Sequence, residues 1–247
     1  MITTDTLDGI PIVIIDRPQR RNTLVPELAE ALVAKLRGAG EARRPVVLTA
    51  AGTAFCLGAD LKWLGACPDS AEGVAELVAM HHLAITTLLE MPVPVIVAIN
   101  GAVAGGGLGL ALAADYRVAA QRATFTTAYF PLGLTPDGGS SAFLQELIGR
   151  ARTLELLLTN RSLTAAEALD WGLVNEVVDD DLLVERAVAF ANSLRWVPAW
   201  TLRQSRGLLD TINIRNQLQL ESVAIRTAAR GDFFRHALKA FLDAHPG

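Results

Sequence analysis

The chain has 247 residues, 51% of them hydrophobic, with 22 basic against 26 acidic side chains and a formal net charge of -4. This length and apolar content can bury a sizeable core, which excludes a disordered chain, and the dispersed charge offers no basic stripe for a nucleic-acid backbone. The opening MITTDTLDG carries two acids where an export signal has a basic start and an apolar run, so a cytoplasmic protein is expected.

In chain order, β-branched runs alternate with helical patterns. IPIVIID (10–16) reads as a strand, PELAEALVAKLRG (26–38) as a helix, PVVLTA (45–50) as a strand, 71–90 as a helix and PVIVAIN (94–100) as a strand. This is an α/β rhythm, and strands that are apolar throughout predict burial on both faces. Cys56 and Cys67 lack CxxC spacing and a nearby histidine pair, so neither a disulfide nor a zinc site is expected. Residues 91–114 have no charge and are long enough to span a bilayer, but Pro92, Pro94, Asn100 and several glycines interrupt them. Strand, turn and buried helix is the better reading, and no membrane partner is expected.

The second half reads as helices: RARTLELLLTN (150–160), LTAAEALDWG (163–172), then 181–195, 198–210, 215–229 and 232–244. Thr164, three residues before Glu167, forms a capping-box pattern. The expected organisation is a core over 1–196 and a helical oligomerisation region over 197–247.

AVAGGGLGLALAADY (102–116) poses the functional question. It lacks the GK[ST] of a phosphate loop and the third glycine of GxGxxG, and a nucleophile elbow around Ser140 would need glycine at Ala142. What remains is backbone chemistry, because glycines between a strand and a helix let N–H groups approach a ligand where the helix dipole favours negative charge. GTAFCLGADLKWL (52–64) also follows a strand and offers the N–H of Ala59 as a second donor. Tight turns without a ligand explain the same glycines equally well.

AFCLGADL and NGAVAGGGLGLALAAD, with RPQRRNTL before them and LTAAEALDWGLVNEVV after, resemble the crotonase (enoyl-CoA hydratase/isomerase) superfamily over nearly the whole chain. The resemblance implies an α/β spiral core of ββα turns, a C-terminal helical trimerisation region and acyl-CoA thioester substrates. It places oxyanion donors on the N–H groups of Ala59 and Gly106, beside Gly105. CoA is then expected near Arg21, Thr23, Ala59, Asp60 and Leu61, with Arg20 and Arg21 near its phosphates. It implies no metal and no cofactor apart from CoA as part of the substrate. A homotrimer or dimer of trimers is implied as well.

Hydratases of this family use two glutamates, and the chain has Gly109 and Tyr129 in their places. Ordinary hydration therefore lacks its acid–base pair. Asp137 is the only charged residue between Arg122 and Glu146, and burial is expected to raise its pKa. Capping of the helix that begins at GGSS is its alternative role.

Two branches resemble the Asp137 segment. In the 1,2-epoxyphenylacetyl-CoA isomerase-like reading Asp137 shuttles a proton. In the 4-chlorobenzoyl-CoA dehalogenase-like reading it attacks a ring carbon, His82 stands at the place of the assisting imidazole, and Tyr129 replaces a tryptophan. His82 is equally read as a surface residue of an amphipathic helix. Atypical hydration and a non-catalytic acyl-CoA-binding protein remain open. The closing AFLDAHPG resembles the family's last helix but has Ala244 where lysine is common.

Overall fold

The computed structural model describes residues 1–210 and 213–245. Residues 211–212, and the Pro246 and Gly247 that end the AFLDAHPG segment, lie outside the described residues.

The chain opens with an antiparallel hairpin, β1 (Ile2–Leu7) and β2 (Ile10–Ile15). Asp8 and Gly9 both take positive φ at its tip, as a two-residue hairpin turn with the right-handed strand twist requires. α1 (Pro26–Glu41) follows, with Leu28, Ala29, Leu32, Val33 and Leu36 buried along one face. Proline at its start costs nothing, because the first amides of a helix have no intrahelical acceptor.

Three successive units then repeat one pattern: a strand in a large sheet, a short strand in a small sheet, then helix. The first is β3 (Val46–Ala50), β4 (Ala54–Cys56), α2 (Leu61–Ala66) and α3 (Ser70–Glu90). The second is β5 (Val95–Ile99), β6 (Ala102–Ala104) and α4 (Gly106–Leu112). The third is β7 (Tyr116–Ala120), β8 (Thr124–Thr126) and α5 (Ser140–Thr159). β9 (Leu163–Thr164), α6 (Ala165–Asp170), β10 (Glu176–Val178) and α7 (Leu183–Ser193) close the core.

The large sheet runs β1-β2-β3-β5-β7-β10 and is parallel apart from β1; the small one runs β4-β6-β8-β9. Both faces of the large sheet are covered, as its continuous apolar strands require. On β5, Val95, Val97 and Ile99 face the main core, while Ile96 and Ala98 pack against Leu183, Ala187, Val188 and Ala191 of α7. The uncharged stretch 91–114 resolves into β5, β6 and α4, and among the described residues no helix is long and apolar enough to cross a membrane.

α8 (Ala199–Leu209), α9 (Ile214–Ala229) and α10 (Asp232–Ala244) follow. α9 packs on α3, and α10 on α2. Large apolar side chains remain outside, including Trp196 (76% exposed), Trp200, Leu208 and Leu209.

The expected helix over 150–160 is the second part of α5, which starts ten residues earlier and breaks at Gly149, where φ is 78°. At α6 the capping box is complete: Thr164 Oγ1 accepts the Glu167 N–H, and the Glu167 carboxylate accepts the Thr164 N–H. Thr164→Ala should cost about 1 kcal/mol and lower Tm by about 2–4 °C in a chain of this size, measured by thermal unfolding.

Candidate active site

A cavity of about 300 Å³ opens between α2, α3, the glycine turn before α4 and the C-terminal helices. Its walls are mostly aliphatic, including Leu61, Leu64, Val74 and Leu134, with Ile225 of α9 and Phe241 of α10 completing them. Ala59, Gly105, Gly106, Tyr129 and Asp137 line the same space, and Asp137 is the only carboxylate among the described lining residues.

The two glycine turns bring Ala59 and Gly106 to this cavity for identifiable reasons. Leu24 N–H donates to Gly58 O at 2.7 Å and Asp60 N–H donates to Leu24 O at 2.9 Å. In a planar trans peptide the N–H points opposite to the preceding carbonyl, so the Ala59 N–H is directed away from Leu24. It finds no acceptor among the described residues. Gly106 is the first residue of α4, and its N–H is one of the leading amides with no intrahelical partner. Gly105 before it takes φ 52° and ψ -128°, a conformation a side chain would forbid. The loops are in contact: a β-carbon on Gly58 would lie 3.1 Å from the Gly106 nitrogen.

Asp60 holds the first turn in place. Its carboxylate caps α2 through the Lys62 and Trp63 amides, pairs with Arg17 Nη1 at 2.7 Å and accepts the Thr23 hydroxyl at 3.2 Å. Every polar group of Asp60 is thus engaged within the protein, and Thr23 serves the same turn. Arg20 and Arg21 are exposed beside it. Leu61 faces the cavity.

Asp137 is 4% exposed. His82 Nε2 lies 2.6 Å from Oδ1, a hydrogen bond, and His81 Nδ1 lies 3.6 Å from Oδ2, a charge contact beyond hydrogen-bond distance. Adjacent on α3, the two imidazoles straddle the acid. With the carboxylate ionised, His82 Nε2 is the donor.

The expectation that burial raises this pKa is corrected. Burial does push it up, but the His81 and His82 imidazoles reverse that and hold the carboxyl well below the usual range. Capping is corrected as well, since the N-cap of α5 is Gly139 and the Asp137 side chain does not cap it. His82 is not a surface residue; it is half-buried behind the acid, and His81 is the histidine that lines the cavity. His81 is 2% exposed, and its Nε2 has no partner.

The two places where hydratases carry glutamate now support the Asp137 turn. A β-carbon on Gly109 would fall 2.2 Å from the Gly138 carbonyl oxygen. The Tyr129 hydroxyl, its pKa raised by burial and by the charge of Asp137, donates to the Asp137 carbonyl at 2.9 Å and lies 3.1 Å from Ser140 Oγ.

Sequence reasoning missed His81 and Glu221. Glu221, on α9, accepts the Gly139 and Ser141 amides. The ligand atoms of His82, Asp137 and Glu221 lie within 4.8 Å of one another, but those on His82 and Glu221 are already hydrogen-bonded within the protein. Cys56 is buried and its thiol is pushed up to about 12 by burial, which makes it inert.

A family model described as enoyl-CoA hydratase/isomerase matches residues 5–239, and the chain belongs to this family. It is 34% identical over 244 residues to the 1,2-epoxyphenylacetyl-CoA isomerase of Escherichia coli strain K12, covering 95% of this chain and 92% of the relative. It is 35% identical over 201 residues to 4-chlorobenzoyl coenzyme A dehalogenase-2 of an Arthrobacter species, covering 80% of this chain and 73% of that one. The crystal structure of enoyl-CoA hydratase from Bacillus halodurans superposes with a TM-score of 0.88 at 24% identity, covering 97% of this chain and 99% of that one, and shares the crotonase fold.

Two outcomes are expected. Gly109→Glu, which restores a hydratase residue, should give a misfolded or strongly destabilised protein, since overpacking against backbone costs about 1–3 kcal/mol or more; urea unfolding reads this. Asp60 has its pKa lowered: burial raises it, and the Trp63 amide, Arg17 and Thr23 outweigh that. Its stabilisation is therefore present above the unfolded value, about 3.9, and is lost as pH falls through the lower folded value. Asp60→Asn should cost about 1–3 kcal/mol at pH 7, with the difference shrinking below about pH 4 in a stability–pH series.

Proposed function

We propose that the chain is an acyl-CoA isomerase in which Asp137 moves a proton and the N–H groups of Ala59 and Gly106 hold the thioester oxygen. Asp137 takes a proton from substrate carbon, the electron pair moves onto the thioester oxygen as an enolate, and the proton returns at another carbon. One such donor contributes about 2.7–4 kcal/mol of transition-state stabilisation. The observation that carries this reading is a single carboxylate lining a mostly apolar cavity together with two residues, Ala59 and Gly106, from separate loops.

The depressed pKa sets a demand on this chemistry. An ionised carboxylate with one hydrogen bond and a second imidazole facing it is a weak base, so the amides must acidify the substrate strongly. The flanking imidazoles stabilise the ionised form and keep the acid oriented. CoA enters as part of the substrate, and on this reading the protein supplies the remaining chemistry without metal or redox cofactor. Arg20 and Arg21 are proposed at the CoA phosphates. The exposed Trp196, Trp200, Leu208 and Leu209 support assembly into a trimer or dimer of trimers.

One observation favours a second reading. A carboxylate held ionised with an imidazole at 2.6 Å suits nucleophilic attack on a haloaryl ring followed by imidazole-assisted ester hydrolysis. Against it, the Oδ1 of Asp137 is already engaged by His82 and His81 stands over Oδ2.

The test is a panel of 2-enoyl, 3-enoyl, epoxyphenylacetyl and halobenzoyl CoA thioesters, assayed with wild type and Asp137→Asn. Double-bond or ring isomerisation that falls about 10²–10⁴-fold in the variant is expected. Halide release would establish the second reading, and thioester binding without turnover or α-proton exchange would indicate a non-catalytic protein.

A further inference from the structure

Glu221 is a buried carboxylate beside Asp137 that the proposed reaction does not use. It sits on α9 and is 4% exposed. Its Oε2 accepts the Gly139 N–H at 2.7 Å; its Oε1 accepts the Ser141 N–H at 3.0 Å and the Ser141 hydroxyl at 2.5 Å. Gln217, one helical turn earlier, donates to Ser141 Oγ at 2.8 Å. Gly139 and Ser141 stand at the start of α5, which begins three residues after Asp137 and has no side-chain cap at its N-cap Gly139. A side chain about eighty residues downstream therefore performs the capping that Asp137 does not.

A neutral serine or asparagine suffices for most helix starts, whereas a buried carboxylate carries a desolvation cost. No arginine or lysine pairs with Glu221 among the described residues; two amides, a hydroxyl and the positive end of α5 compensate its charge. The ionisable groups facing it are Asp137 in the same turn, His82 from α3, and Tyr129. Burial and the charge of Asp137 raise its own pKa, with the Ser141 and Gly139 hydrogen bonds opposing them.

We propose that Glu221 is a positioning residue for Asp137: it fixes the Asp137–Gly138–Gly139 turn by capping α5, and its negative charge faces the Asp137 carboxylate. The inference rests on the isomerase reading only for its kinetic consequence; the geometric and electrostatic parts concern the protein by itself.

Three variants of the full-length protein separate these effects. Glu221→Gln removes the charge and replaces one acceptor oxygen by a donor. Glu221→Asp keeps the charge and shortens the reach. Ser141→Ala leaves the carboxylate and both amides in place. The first readout, taken without substrate, is hydrogen exchange of the Gly139 and Ser141 amides. It should speed up about tenfold or more in Glu221→Gln, which loses one acceptor oxygen, and less in Ser141→Ala.

The second readout is α-proton exchange of phenylacetyl-CoA in heavy water. Its kcat should fall about 10–100-fold in Glu221→Gln and less in Glu221→Asp and Ser141→Ala, with KM within about twofold and the acid limb of the kcat/KM profile moved to lower pH. Unchanged amide exchange together with unchanged α-proton exchange overturns the inference. If wild type exchanges no α-proton, the isomerase reading falls, and the Gly139 and Ser141 amides alone decide for or against Glu221. If Glu221→Gln does not fold, Glu221→Asp and Ser141→Ala carry the kinetic test, and wild-type exchange rates in both overturn the inference.

Discussion

A carboxylate removed from water must be compensated by its surroundings, and at Asp137 two adjacent imidazoles from one helix do this. That contact ties α3 to the turn before α5, and the rest of the site is arranged around it. Burial alone would have driven the acid neutral. The His82 hydrogen bond at one oxygen and the His81 imidazole facing the other keep it charged instead, in a cavity whose walls are mostly apolar. The energetic conflict is resolved locally, within the reach of one helical turn.

The turn that holds this acid has further supports, which explain two departures from the hydratase pattern together. Gly109 leaves room for the Gly138 carbonyl, Tyr129 binds the Asp137 carbonyl from the opposite direction, and Glu221 takes the amides that follow. Loss of the two glutamates is thus coupled to the gain of one acid: the space and contacts that the glutamates would need now hold the segment that presents Asp137. Asp60 plays the corresponding part at the other loop, where its engagement with Arg17 and the α2 amides fixes the peptide that presents Ala59.

Much of the fold was legible because its signals are local. Apolar strands bounded by turn residues, the 3.6-residue pattern of α1 and α3, and the Thr164 capping box all report on neighbours within a few positions. The short strands β4, β6 and β8 were not legible, since three residues carry no period and their pairing is set by the loops between sheets. At the site, the glycine turns and Asp137 were readable from spacing and from the scarcity of charge around them. Its protonation was not, because the partners lie 55 residues away on α3. Of the adjacent histidines, the one facing the cavity depends on the rotation of α3, and MHHLAITTLLE allows either. Glu221 gave no signal at all: on an amphipathic helix rich in polar residues it is indistinguishable from a solvated acid until α9 docks.

Ile225 and Phe241 stand far along the chain from the amides whose chamber they help to enclose. During synthesis, both sheets and both glycine turns emerge from the ribosome well before these side chains do. A nascent polypeptide would therefore hold most of its architecture while its reaction chamber was still open to bulk solvent, and competence would arrive only with the last two helices.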